Sequence, residues 1–172
     1  MNKPILFVLS DIHGNIYQDW MKEYASTLSP FFQVKLFDCQ ELAGISNLEP
    51  SQVHAEFLNG GMDRAISTLE ALDDQPTAIL GFSIGGTIAW KFALRNQVQS
   101  LHVVSATRIR KEVEKPMSTI TVYFGDQEEH GPNTEWFNTM DLSPVILKGE
   151  VHECYRNKRT LELVCGNMIA AH

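Results

Sequence analysis

The sequence predicts an α/β protein with a doubly wound, predominantly parallel sheet of six strands and helices on both faces. Short apolar runs alternate with longer segments whose apolar residues recur at helical spacing. The short runs are apolar at nearly every position, as in parallel strands that are covered on both sides. Because parallel strands need crossover connections, the alternation indicates βαβ units rather than hairpins.

Six apolar runs predict the strands, and five segments predict the helices. The predicted strands are Ile5–Leu9, 32–37, 78–80, 101–104, 120–124 and 145–147. The predicted helices are 17–28, 51–72 with a break at Gly60-Gly61, 85–94, 134–140 and 157–170. In a doubly wound sheet of this kind, ligands bind beyond the carboxyl ends of the strands, where the winding reverses.

Composition excludes several classes of function. The chain has 172 residues, enough for one domain, and 14 basic against 21 acidic side chains give a net charge of −7. This charge argues against a nucleic-acid partner, and we interpret the basic cluster 108–111 as a solvated connection. The three cysteines lack metal-site spacing, which predicts a cytoplasmic protein without a metal site. No apolar stretch is long enough to span a bilayer, which predicts no membrane contact.

Ser83 lies in the strongest local motif, which reads Gly81-Phe82-Ser83-Ile84-Gly85-Gly86 and directly follows a predicted strand. A serine on a tight strand-to-helix turn projects its hydroxyl above the sheet, and the flanking glycines let strand and helix pack closely. The next helix points its first N–H groups at the same place, so Ile84 N–H is a candidate oxyanion donor. We interpret Ser83 as a nucleophile. The alternative is a plain turn in which Ser83 caps the helix.

This combination resembles the α/β-hydrolase family over nearly the whole chain. In that family the first core strand ends in a His-Gly pair whose following residue donates the second oxyanion N–H. Here His13-Gly14-Asn15 follows Ile5–Leu9, so the resemblance implies Asn15 as that donor. The short connection between the fourth and fifth predicted strands resembles the small lidless members, which implies one domain over residues 1–172 and no separate lid domain.

The family also has a fixed chain order of nucleophile, acid and histidine. Asp126 directly follows the fifth predicted strand, and His152 follows the sixth. The resemblance therefore implies Asp126 as the acid and His152 as the base of a triad with Ser83. Glu128 and Glu129 stand in the same loop as Asp126 and remain alternatives for the acid.

These residues predict a serine hydrolase that cleaves a small-molecule ester or thioester through an acyl-enzyme, without a cofactor. A small acyl substrate is the predicted partner, and the sequence does not indicate an oligomeric state. Phe82, Ile16 and Tyr17 are candidates to line an apolar acyl pocket, although core packing explains Phe82 equally well.

Two other functions remain open. The run Asp11-Ile12-His13-Gly14-Asn15 resembles the opening motif of the calcineurin-like metallophosphoesterases, in which the Asp and His bind a dinuclear metal centre. The later motifs of that family do not follow, and two metals need about five or six ligands. The second alternative keeps the fold without the reaction, as a catalytically inactive binding protein.

Overall fold

The computed structural model describes residues 2–172 and contains one open sheet of six strands, all parallel. The strands are β1 (Ile5–Leu9), β2 (Gln33–Phe37), β3 (Ala78–Phe82), β4 (Ser100–Val104), β5 (Thr119–Gly125) and β6 (Val145–Leu147). Their order across the sheet is β2-β1-β3-β4-β5-β6. The predicted fold class and the six predicted strands are confirmed.

Helices connect the strands and cover both faces of the sheet. They are α1 (Asp19–Leu28), α2 (Cys39–Leu42), α3 (Pro50–Glu56), α4 (Met62–Glu70), α5 (Ile84–Arg95), α6 (Thr134–Thr139) and α7 (Lys158–Ala170), with 3₁₀ helices at Thr107–Lys111 and His152–Arg156. The predicted segment 51–72 is interrupted where Gly60 takes a φ of +93°. None of the helices within residues 2–172 combines the length and apolar character needed to cross a bilayer.

Two apolar layers sandwich the sheet, because successive residues of each strand point to opposite faces. Along β1, Phe7 and Leu9 join the layer under α5, whereas Leu6 and Val8 join the layer under α1 and α7. All four of these side chains are fully buried. This two-sided burial explains why the strand is apolar at every position.

The winding of the sheet reverses between β1 and β3, which are hydrogen-bonded neighbours. Gly85, at the start of α5, packs against the end of β1 so closely that a Cβ there would lie 2.2 Å from the carbonyl oxygen of Ser10. Only glycine allows this approach without displacing the backbone. The loops after β1 and β3 are therefore held together at the carboxyl edge of the sheet, where ligands bind in doubly wound folds.

Candidate active site

Ser83 occupies the sharp turn between β3 and α5. Its backbone has φ +52° and ψ −118°, a conformation that non-glycine residues rarely adopt. Its N–H donates to the carbonyl oxygen of Val104 at 2.9 Å, and a Cβ on Gly81 would lie 2.5 Å from the carbonyl oxygen of Gly85. The turn is thus tied to β4 and tightly packed, which holds the Ser83 side chain in a strained but defined position.

Ser83 and His152 are joined directly, although 69 residues separate them in the chain. The distance from Ser83 Oγ to His152 Nε2 is 2.9 Å. His152 begins the 3₁₀ helix that follows β6, and its side chain is 38% exposed. The imidazole is therefore within hydrogen-bond reach of the hydroxyl and also open to solvent.

The carboxylate against His152 belongs to Glu128. The distance from Glu128 Oε2 to His152 Nδ1 is 2.7 Å, and the Glu128 side chain is only 6% exposed. A carboxylate in this place fixes the tautomer with the proton on Nδ1, which leaves Nε2 free to accept from the Ser83 hydroxyl. The three side chains form one continuous chain of hydrogen bonds.

The prediction of Asp126 as the acid is corrected by this geometry. Asp126 Oδ1 accepts a hydrogen bond from Gly149 N–H at 2.9 Å, and the Asp126 N–H donates to Leu147. These bonds bind the ends of β5 and β6 to each other, and the carboxylate is bonded to Gly149 rather than to His152. Glu128, two residues further along the same loop and one of the alternatives that the sequence leaves open, is the acid bonded to His152.

Two residues that line the cavity have backbone N–H groups without an acceptor in the described part of the chain. Ile84 is the first residue of α5, so its N–H has no partner within the helix. Ile12 lines the same cavity as Ser83, and within residues 2–172 its N–H donates no hydrogen bond. Both are free to bind a negative oxygen.

The predicted donor Asn15 is engaged elsewhere, which corrects that assignment. Its N–H donates to Asp38 Oδ2 at 2.7 Å. The physical reason lies in where β1 ends: the strand stops at Leu9, and a turn closed by Gly14 N–H to Asp11 carbonyl oxygen follows. Asn15 therefore does not line the cavity, whereas Ile12 does.

A cavity of about 460 Å³ opens above Ser83 and His152. Its walls come from the loops after β1, β3, β4, β5 and β6, together with one residue of α3 and two of α5. The lining residues are Ile12, His54, Ser83, Ile84, Thr87, Thr107, Arg108, Gln127, Glu128, Glu129, His130, Val151 and His152. This volume suits a small organic molecule.

The three residues predicted to line an acyl pocket do not line this cavity. Phe82 is fully buried in the core layer under α1, where its ring packs 5.0 Å from that of Trp20, because it points to the opposite face of the sheet from α5. Ile16 packs against the same layer. Tyr17 is 73% exposed beyond the turn that follows β1. The apolar lining comes instead from Ile12, Ile84 and Val151.

Asp11 belongs to a buried polar cluster beside the site. Its side chain is 1% exposed; Oδ2 accepts from the Tyr155 hydroxyl at 2.9 Å and from Arg156 Nη2 at 2.8 Å, while Oδ1 accepts from His13 N–H at 3.1 Å. Burial and the Asp11 charge raise the pKa of Tyr155, so its hydroxyl stays protonated and donates. The cluster fastens the loop after β1 to the 3₁₀ helix that begins with His152.

This cluster does not fit the metal-binding alternative for Asp11 and His13. The Asp11 carboxylate is already bonded to a guanidinium cation, and the His13 ring lies 3.5 Å from Glu153 instead. Within residues 2–172, no three His, Cys, Asp or Glu side chains form a group suited to a metal ion. A dinuclear centre needs about five or six such ligands.

Comparison with known proteins gives matches among solved structures. The chain superimposes on an α/β superfamily protein from Xanthomonas campestris with a TM-score of 0.72 at 11% identity, covering 99% of this chain and 100% of that one. It superimposes on an α/β serine hydrolase homologue from Coxiella burnetii with a TM-score of 0.64 at 18% identity, covering 98% and 86%. The chain has the α/β-hydrolase fold.

A third match is an α/β serine hydrolase without a lid from Xanthomonas campestris, with a TM-score of 0.62 at 13% identity, covering 99% of this chain and 84% of that one. No family model and no curated protein matches the sequence. In this α/β-hydrolase fold, residues 105–118 connect β4 to β5 and contain the 3₁₀ helix Thr107–Lys111. That helix contributes Thr107 and Arg108 to the rim of the cavity.

Proposed function

We propose that the protein is a serine hydrolase that cleaves small-molecule esters or thioesters. The observation that carries this proposal is the hydrogen-bonded series in which Ser83 Oγ lies 2.9 Å from His152 Nε2 and His152 Nδ1 lies 2.7 Å from Glu128 Oε2. A hydroxyl is a weak nucleophile at neutral pH, and a base oriented by a carboxylate activates it. The strained turn at Ser83 and the cavity above it support the same reading.

In the proposed first step, Ser83 Oγ attacks the carbonyl carbon while its proton passes to His152 Nε2. Glu128 stabilises the imidazolium that forms. The carbonyl oxygen becomes negative and is held by the N–H groups of Ile84 and Ile12, which are preorganised donors at the place where charge develops. His152 then gives the proton to the departing alkoxide or thiolate, and an acyl-Ser83 ester remains.

In the second step, water replaces the leaving group. His152 Nε2 takes a proton from this water as the water oxygen attacks the acyl carbon, and returns the proton to Ser83 Oγ when the acid product leaves. The exposure of the His152 side chain, at 38%, gives water direct access. Every proton moves through His152, and the reaction needs no cofactor.

Hydrolysis of a panel of 4-methylumbelliferyl esters and short acyl thioesters tests the proposal. We expect Ser83→Ala to lower kcat/KM by about 10⁴-fold or more, because the nucleophile is removed while the oxyanion donors stay. Ser67→Ala, on the exposed side of α4, is the matched control and should retain full activity. Turnover that persists in Ser83→Ala, or no turnover of any member by the folded protein, contradicts the proposal.

A further inference from the structure

Arg108 lies at the rim of the cavity on a well-anchored segment. The 3₁₀ helix Thr107–Lys111 follows β4 directly, and Ile109 within it is fully buried. Ala106, just before it, packs against the first turn of α5: a Cβ on Gly86 would lie 2.6 Å from Ala106 Cβ. The backbone that carries Arg108 is therefore fixed relative to the Ser83 turn.

The guanidinium of Arg108 differs from the others in this protein. Of the six arginines in the chain, it is the one without a hydrogen bond or ion pair within residues 2–172, although its side chain is partly buried. The other five bond to protein oxygens and are Arg64, Arg95, Arg110, Arg156 and Arg159. Arg108 thus keeps its donors available to a ligand.

The carboxylates of the cavity do not neutralise this cation. Glu128 is bonded to His152, and Glu129 is exposed and forms no ion pair with Arg108 within residues 2–172. Arg108 is the permanently positive group of the lining, whose neutral part includes Ile12, Ile84 and Val151. An apolar chain that ends in an anion matches this distribution, and a planar guanidinium binds a carboxylate through two parallel hydrogen bonds.

We propose that Arg108 binds a carboxylate at the far end of the acyl group, so that the preferred substrates are monoesters or monothioesters of dicarboxylic acids. This inference rests on the proposed hydrolase activity. In the sequence, the basic cluster 108–111 reads as a solvated connection. The structure separates its members, because Arg108 lines the cavity while Arg110 bonds to the carbonyl oxygen of Thr107.

Matched neutral and anionic esters test the proposal. We use 4-methylumbelliferyl hexanoate against the adipate monoester, and the octanoate against the suberate monoester, so that each pair differs by a terminal carboxylate. We expect a kcat/KM about tenfold or more higher for the anionic member of at least one pair, because charge-assisted bidentate bonds are the stronger ones. Arg108→Gln should abolish this preference, mainly by raising KM for the anionic member of the pair.

Arg110→Gln is the control variant, because it removes a neighbouring charge outside the cavity lining, and it should keep the preference. Arg108→Lys should keep part of it, since charge remains without the bidentate geometry. Equal kcat/KM for both members of both pairs, or an Arg108→Gln variant that slows neutral and anionic esters alike, overturns this inference alone. Failure to cleave any of the four esters contradicts the proposed hydrolase function as well.

Discussion

At Ser83 the backbone is held in a conformation that costs about 1–3 kcal/mol for a residue with a side chain. The packing of Gly81 against Gly85, and of Gly85 against the carbonyl oxygen of Ser10, leaves the chain no relaxed alternative. This strain positions the hydroxyl 2.9 Å from His152 Nε2. The turn at Ser83 therefore lowers the stability of the fold while it positions the hydroxyl beside His152.

Glu128 and Asp126 should differ in their effect on activity. Glu128→Gln removes the negative charge beside His152 and allows the wrong imidazole tautomer, so we expect kcat/KM to fall by about 10³-fold or more. Asp126→Asn keeps an oxygen for the Gly149 N–H and should stay within about tenfold. Initial rates of ester hydrolysis give both values. A larger loss for Asp126→Asn than for Glu128→Gln contradicts the assignment of the acid.

Among individual residues, the sequence predicts the positions of some members of the candidate site and not of others. Ser83 is predictable from its local motif, and His152 from its place after the last predicted strand in the chain order that the resemblance implies. The resemblance implies Asp126 as the acid, but Glu128 bonds to His152, and the choice between the two depends on how the loop after β5 bonds to the end of β6. Asn15 is not a free donor because its N–H bonds to Asp38, a contact that the sequence does not reveal.

At the scale of elements, the two loops that carry Ile12 and His152 are fastened to each other by one buried carboxylate. Asp11 follows β1 next to Ile12, while Tyr155 and Arg156 belong to the 3₁₀ helix that begins with His152. The charge and hydrogen bond of Asp11 outweigh the effect of burial and raise the pKa of Arg156. The ion pair between Asp11 and Arg156 joins residues that are 145 positions apart in the chain. Sequence periodicity carries no signal for such a contact.

Replacement of Asp11 should loosen this link. Asp11→Asn removes the partner charge of Arg156, which is 32% exposed, so we expect the free energy of unfolding to fall by about 2 kcal/mol, less than for a fully buried pair. Glu56→Gln, which breaks a more exposed ion pair with Arg64, is the control and should cost less than about 1 kcal/mol. Urea unfolding measures both. Equal losses contradict a structural role for the cluster.

Across the whole molecule, the predicted strands and their parallel pairing agree with the structure, because two-sided burial leaves a clear apolar pattern in the sequence. The cavity lining was not predictable in the same way. Loops from five strand ends and two helices supply it, and their side chains follow no period. Phe82 illustrates the difference: its position in the motif was clear, but its direction followed from the pleat of β3.

The sheet also contains a titratable group in the middle of β4. Burial lowers the pKa of His102 in β4 to about 4 from 6.5. The unfolded chain therefore binds an extra proton between these values, and the free energy of unfolding should fall by up to about 3 kcal/mol as the pH drops from 6.5 to 4. Above pH 6.5 this contribution is fully present.

Unfolding curves for His102→Leu and wild type across this pH range isolate that contribution, because the carboxylates titrate in both proteins. The variant should lose less stability on acidification than wild type. His54→Gln, which replaces an exposed histidine, should follow wild type. Parallel curves for His102→Leu and wild type contradict a buried, neutral His102.

Reaction with a fluorophosphonate tests the central claim most directly, since the reagent modifies a serine only where a base activates its hydroxyl. Mass spectrometry of the intact protein and its peptides should find one adduct, located on Ser83. Ser83→Ala should stay unmodified, and His152→Gln should react about 10²-fold or more slowly because the base is lost. An unmodified wild-type protein, or an adduct that persists in Ser83→Ala, would contradict the assignment of Ser83 as an activated nucleophile.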